Sequence, residues 1–218
     1  YGLTQSYERA ADHLQSAVAL NPHSRKYRQA LAEKLALLDR SAAALSQYTH
    51  LHERSPENVE YMVQMGEVHL AAKAPQRALG WAEAVLRKRP GDSSALELRA
   101  RALIATGKLR EGLSIRPILY ADPIDGLAHR LSLAQALADA GHTGLAEAEF
   151  TETVKRYPSA VSAWTTYANW YLQSGKKDRA ESVLRQALAR LPEEAEVHAA
   201  LAHAFELQGN TKLARQAY

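Results

Sequence analysis

The 218-residue chain has no cysteine. Disulfides, thiolate metal sites and a cysteine nucleophile are thereby excluded, and either redox compartment stays open. An excess of one charge is also lacking. The 27 basic and 24 acidic residues leave a formal charge of +3, too near neutrality to point to a nucleic-acid partner. No uncharged apolar stretch approaches the roughly 18 to 20 residues of a membrane span. Direct membrane insertion is therefore not expected, and the chain reads as soluble, cytoplasmic or periplasmic. Catalytic signatures are missing too. Gly107-Lys108 and Gly175-Lys176 lack the upstream glycine and the following Ser or Thr of a phosphate-binding loop. Neither an HExxH helix nor a Gly-x-Ser-x-Gly elbow occurs. Nine histidines invite a metal reading. His50 and His52 are two apart, however, and His198 and His203 five apart, spacings poorly suited to sharing a metal. No carboxylate set completes a site. No enzymatic activity, metal or cofactor is expected.

What the sequence has is repetition. Pro22, Pro56 and Pro90 stand 34 residues apart, as do Pro158 and Pro192, with Pro123 one residue early. A small residue recurs with the same period at Ala10, Ala44, Ala78, Gly112, Ala146, Ala180 and Ala214. A second small series runs Ala32, Gly66, Ala100, Ala134, Ala168, Ala202, and glycine recurs at Gly107, Gly141, Gly175 and Gly209. Between these marks the apolar spacing is helical: Leu31, Leu35 and Leu38 sit at i, i+4, i+7, and Trp164, Tyr167 or Ala168, and Tyr171 likewise. The glycine ends a first helix, a second helix follows after a tight turn, and the proline stops it. Small residues let the paired helices approach closely, and a Leu there would cost about 1 to 3 kcal/mol.

A 34-residue helix–turn–helix with these small, aromatic and proline positions resembles the tetratricopeptide repeat family; Trp164, Tyr167, Ala168, Tyr171, Gly175, Ala180, Leu184, Ala187 and Pro192 mark its clearest unit. The resemblance spans the chain and implies an all-α, right-handed superhelical solenoid of stacked antiparallel helix pairs. Complete repeats are expected at 25–58, 59–92, 93–126, 127–160 and 161–194, with partial repeats at 1–24 and 195–218. One array is expected, as a fragment of a longer protein. Two local features stand out. Pro75 suits the first turn of a second helix. Gly112, Arg116 and Pro117 fall where a helix interior is expected, and an interior proline costs about 3 kcal/mol. That helix should be short, kinked or looser, bending the stack after 93–126. At the ends, Tyr7, Ala10 and Leu14, and Leu213, Ala214 and Ala217 near Tyr218, are expected to be under-covered. Self-association through uncapped ends is the expected consequence.

The resemblance also implies a non-catalytic scaffold that binds a protein or peptide in a groove lined by the first helices. The inward positions are Lys26, Gln29 and Glu33; Glu60, Val63 and Glu67; Ser94, Glu97 and Arg101; Leu131, Gln135 and Asp139; Ser162, Thr165, Asn169 and Gln173; Glu196 and His203. Lys26, Arg101 and Asn169 do not form the family's carboxylate clamp, so the groove reads as acidic first and neutral polar later, suited to a basic or neutral segment. Trp81 and Trp170 read first as core, and a secondary surface at them, or along Arg54, Lys88, Arg156 and Arg190 near second-helix ends, is the alternative, with Asp122 interrupting the basic series. Cations there are already favoured by about 0.3 to 1 kcal/mol through the helix dipole. The Ala- and Arg-rich texture looks bacterial and suggests an assembly or export role, polysaccharide export among them. The alternative is a regulatory or substrate-recruiting arm of an enzyme whose catalytic domain lies outside this chain.

Overall fold

The computed structural model describes residues 2–121 and 124–217. Tyr1, Asp122, Pro123 and Tyr218, which bear on the proline comb, the basic edge and the chain ends, lie outside them. Regular structure among the described residues is entirely α-helical. The chain divides into two compact units, 1–116 and 117–218.

In unit 1, α1 (Gly2–Leu20) precedes the pairs α2 (Arg25–Leu37) and α3 (Ser41–Arg54), then α4 (Val59–Ala71) and α5 (Pro75–Lys88). Helices α6 (Ser93–Ala105) and α7 (Leu109–Leu113) form its last pair, and α8 (Arg116–Tyr120) straddles the boundary. Unit 2 holds α9 (Gly126–Asp139) with α10 (Thr143–Arg156), α11 (Val161–Gln173) with α12 (Lys177–Leu188), and α13 (Ala195–Gln208) with α14 (Thr211–Ala217). Second helices thus begin at Ser41, Pro75, Leu109, Thr143, Lys177 and Thr211, 34 residues apart throughout.

Local chemistry sets these boundaries. In unit 1 the side chains of Ser24, Asn58 and Asp92 cap α2, α4 and α6, accepting from the N–H groups of Tyr27, Glu60 and Ala95. Each satisfies a donor that has no partner within its helix. First helices end at a left-handed residue, Gly107, Gly141, Gly175 and Gly209 as expected, but Asp39 and Lys73 in the first two pairs, with φ of 55° and 58°. The next N–H then reaches back five residues, as from Arg40 to the Leu35 carbonyl and from Asn210 to Phe205, both at 2.9 Å. Pro75 opens α5 at its first turn, where no amide donor is needed.

Both small-residue series are buried, apart from half-buried Ala10. The closest approach to backbone is at Gly112, where an added Cβ would lie 2.8 Å from the Ala100 carbonyl oxygen and from Ile104 Cγ1; at Gly66 it would meet the Leu98 side chain. The expected irregularity is also present. The second helix breaks at Ser114 and Ile115, between α7 and α8, and Pro117 falls in the first turn of the resumed helix. Arg116 holds the position filled by buried Tyr48, Ala82, Phe150 and Leu184 in other repeats. A guanidinium cannot enter that apolar seat without a large desolvation cost, so the helix does not continue through it. At the last helix the expectation needs correction: Ala214 and Ala217 of α14 are buried, where α14 packs against α13, and only Leu213 stays half-exposed.

Candidate functional site

The first helices of unit 1 present a polar face whose side chains link one repeat to the next. Gln29 on α2 donates to Glu33 at 3.1 Å and to Glu60 on α4 at 3.5 Å. One guanidinium nitrogen of Arg101 on α6 donates to both carboxylate oxygens of Glu67 on α4 at 2.9 Å, and to Glu97 at 3.5 Å. Burial raises the Glu67 carboxyl above its ordinary range, with Arg101 pulling the other way. Glu33 and Glu60 are exposed and have no cation against them among the described residues. Burial, and after it the charges of Glu33 and Glu60, raise the Tyr48 phenol above its normal range. Lys26 is exposed at the start of α2.

In unit 2 the corresponding face is more neutral. Gln135 donates to Asp139 along α9 at 2.8 Å, and Asn169 and Gln173 stand exposed on α11. The Thr165 hydroxyl donates at 3.1 Å to the Val161 carbonyl and at 3.3 Å to Glu196 on α13. This rung has the same register as Gln29 to Glu60, four repeats earlier. His203 lies 3.7 Å from Glu206. Beneath this face is an aromatic core: Phe150 stacks on Tyr167 at 5.4 Å, and Trp170 packs on Tyr171 at 4.7 Å. Tyr171 donates to Glu147, which also receives Arg179. Burial and the Tyr167 hydroxyl raise the Tyr171 phenol, keeping it a donor.

Several expected site residues prove to be interior. Trp170 is 4% exposed and belongs to that aromatic core, so it offers no surface anchor. Val63 packs with Val59, Met62 and Val85, and Thr165 is buried; neither is groove surface. Trp81 is half-buried, edge-on to His52 at 5.7 Å, and packs against the cluster of Leu35, Tyr48 and Met65. In the basic series, Lys88 is paired with Glu57 at 2.8 Å, whereas Arg54, Arg156 and Arg190 are exposed. The Arg101 pairing was not anticipated, though Glu33, Glu67, Arg101, Gln135, Asn169 and His203 share one 34-residue register. Opposite charges at adjacent rungs were the available signal.

Helix pairs repeating every 34 residues, with small residues at their contacts and a polar first-helix face, define an α-solenoid repeat protein. The family description "Tetratricopeptide repeat" matches residues 31–93 and, separately, residues 137–204, together more than half the chain. The chain belongs to the tetratricopeptide repeat family. No curated protein sequence matches it. Among solved structures it is similar to a tetratricopeptide repeat protein from Parabacteroides merdae, at 16% identity and a TM-score of 0.57, over 97% of this chain and 84% of that one. It is also similar to PilW, a widely conserved type IV pilus biogenesis factor, at 17% identity and a TM-score of 0.55, over 88% of this chain and 90% of PilW. At such identities the likeness is one of fold. The family is generally one of non-catalytic scaffolds that bind proteins or peptides. No described helix is long and apolar enough to cross a membrane.

Proposed function

We propose that the first-helix face of unit 1 binds an extended basic segment of a partner protein, with a Lys or Arg side chain seated between Glu33 and Glu60. The observation that carries this reading is the pair of exposed carboxylates bridged by Gln29 and opposed by no cation among the described residues. Glu67 and Glu97 are less suited to it, since Arg101 already occupies the space between them. An added cation would compete with Arg101 there, whereas at Glu33 and Glu60 it meets unneutralised charge. In unit 2, Asn169 and Gln173 offer neutral hydrogen-bonding groups to a peptide backbone. A role in a bacterial assembly or export system is the finer form of this proposal, and PilW is a protein of this fold that serves pilus biogenesis. A substrate-recruiting arm of an enzyme would use the same groove.

Selection of a displayed random-peptide library on the intact chain tests the groove. Peptides rich in Lys and Arg should be retained, and Glu33→Lys/Glu60→Lys should weaken them about tenfold or more, as expected when attraction becomes repulsion at two contacts. Equal retention by the variant would overturn the assignment.

A further inference from the structure

Unit 2 carries a second concavity on the side of α11 away from its groove residues. It is a shallow cleft of about 470 Å³ between the second helices α10 and α12, floored by Trp164, Tyr167 and Tyr171 of α11. At about 100° per residue these three lie on the face opposite Ser162, Thr165 and Asn169. Val154 and Val183 form apolar walls, and the rim carries Lys155, Arg179 and Arg190.

The polar groups of the floor are already committed. The Trp164 indole N–H donates to the Pro158 carbonyl at 2.9 Å. The Tyr167 hydroxyl shares hydrogen bonds with Thr151 and Tyr171, and Tyr171 donates to Glu147. Arg179 is held by Glu147 at 2.9 Å. Lys155 and Arg190 are different: both are exposed, and neither side chain makes a hydrogen bond or ion pair among the described residues. What the cleft leaves for a ligand is therefore two uncommitted cations, with the exposed Ser182 and Gln186 of α12 beside them.

We propose that this outer cleft is a second protein-binding site, distinct from the groove, which takes an extended acidic segment of a partner. Carboxylates of the segment meet Lys155 and Arg190 at the rim of the cleft. Charge complementarity selects the segment, since the polar groups of the floor are satisfied among themselves and Lys155 and Arg190 are the charged groups left open. A single-stranded nucleic acid fits less well. Its bases need open aromatic faces, and Trp164, Tyr167 and Tyr171 are 4%, 6% and 3% exposed. Two free cations also make a thin track for a phosphate backbone.

The random-peptide selection, repeated on Lys155→Glu/Arg190→Glu and on Lys155→Gln/Arg190→Gln, tests the site. Both positions are exposed and unbonded, so the variants should melt like the parent by circular dichroism, and the neutral pair guards against a folding defect in the reversed pair. Acidic peptides should be retained by the parent, weakened about tenfold or more by charge reversal, and weakened by added salt. They should also shift the Trp164 indole resonance and leave that of Trp81 unmoved. Glu33→Lys/Glu60→Lys should leave them bound, which separates failure here from failure of the groove. Absence of acidic enrichment, equal retention by the reversed variant, or shifts at Trp81 instead would overturn the proposal. So would Lys155- and Arg190-dependent binding of an oligothymidylate while acidic peptides stay unbound.

Discussion

Units 1 and 2 fold on the same 34-residue frame but are stabilised at different places. In unit 1 the first helices begin under side-chain caps from Ser24, Asn58 and Asp92, and their groove face is cross-linked by Gln29 and Arg101. In unit 2 the corresponding cap positions, Asp125, Ala160 and Glu194, make no side-chain cap bond. Stability there rests on aromatic packing of Phe150, Tyr167, Trp170 and Tyr171 beneath the face. The period is thus a packing constraint, met at the small residues, and it leaves helix ends and core side chains free to diverge. Local hydrogen bonds in one unit stand where tertiary aromatic contact stands in the other.

The sharpest break of this contrast is Phe150→Ala. Phe150 is fully buried against Tyr167 and Trp170, and truncation of such a side chain costs about 3 to 5 kcal/mol. Urea denaturation should show that loss, and a cost below about 1.5 kcal/mol would mean that the aromatic cluster does not hold unit 2. In unit 1 the most sensitive small position should be Gly112. An alanine Cβ there meets a backbone oxygen at 2.8 Å, which cannot give way as a side chain can. Overpacking of that kind costs about 1 to 3 kcal/mol. The same register holds alanine at Ala44, Ala78, Ala146 and Ala180 without strain, so an unchanged melting point for Gly112→Ala would show that the helices part freely.

Most of the frame was legible because a repeat samples its own pattern several times. Helix starts, the buried small residues and the interruption near Pro117 all followed from residues in one register. The site was less legible. Spacing indicates which side chains share a helix face, but not how far the next helix covers that face; Thr165 and Val63 were placed in the groove for this reason, and Trp170 stayed open between core and surface. Charge was misread differently. Glu67 and Glu97 look like acceptors for a partner's cation until Arg101, one repeat beyond Glu67 and one turn beyond Glu97, is seen to reach both.

That cluster gives a prediction with a pH signature. Arg101→Met removes the charge that lowers the Glu67 pKa and leaves the burial that raises it above 4.5. The folded state then holds a proton that the unfolded chain has lost, so stability falls as pH rises from the unfolded value through the raised folded one. The cost should be about 1 to 2 kcal/mol at pH 7, reduced from that of a fully buried pair because the side chains are 25% and 32% exposed. Near pH 4 it should shrink, and Arg101→Met/Glu67→Gln should remove most of the pH dependence. An equal loss at both pH values would mean that packing of the Arg101 stem is what matters. A somewhat smaller effect belongs to the caps: Asn58→Ala should cost about 1 kcal/mol in urea denaturation. No loss at all would remove capping from the difference between the units.

The smallest effect has the opposite sign. Lys73 ends α4 in the left-handed region at φ 58°, the position held by Gly141, Gly175 and Gly209 in unit 2. A side chain there crowds the following carbonyl, at a cost of about 1 to 2 kcal/mol. Replacement by glycine relieves that strain but returns freedom to the unfolded chain, which offsets part of the gain. The Lys73 side chain is exposed and makes no hydrogen bond or ion pair among the described residues, so little else is lost. Lys73→Gly should therefore stabilise by about 0.5 to 1 kcal/mol. Asp39, at φ 55°, should gain less on the same change, because aspartate enters the left-handed region more readily. Gly175→Ala is the mirror experiment in unit 2. Its Cβ would meet nothing within 4 Å, so any loss is backbone strain alone and should match the Lys73→Gly gain in size. Melting points of the three variants decide the matter. If Lys73→Gly lowers stability while Gly175→Ala also lowers it, the helix ends of unit 1 draw on contacts of the lysine stem, and the two units differ in their turns as well as in their caps and cores.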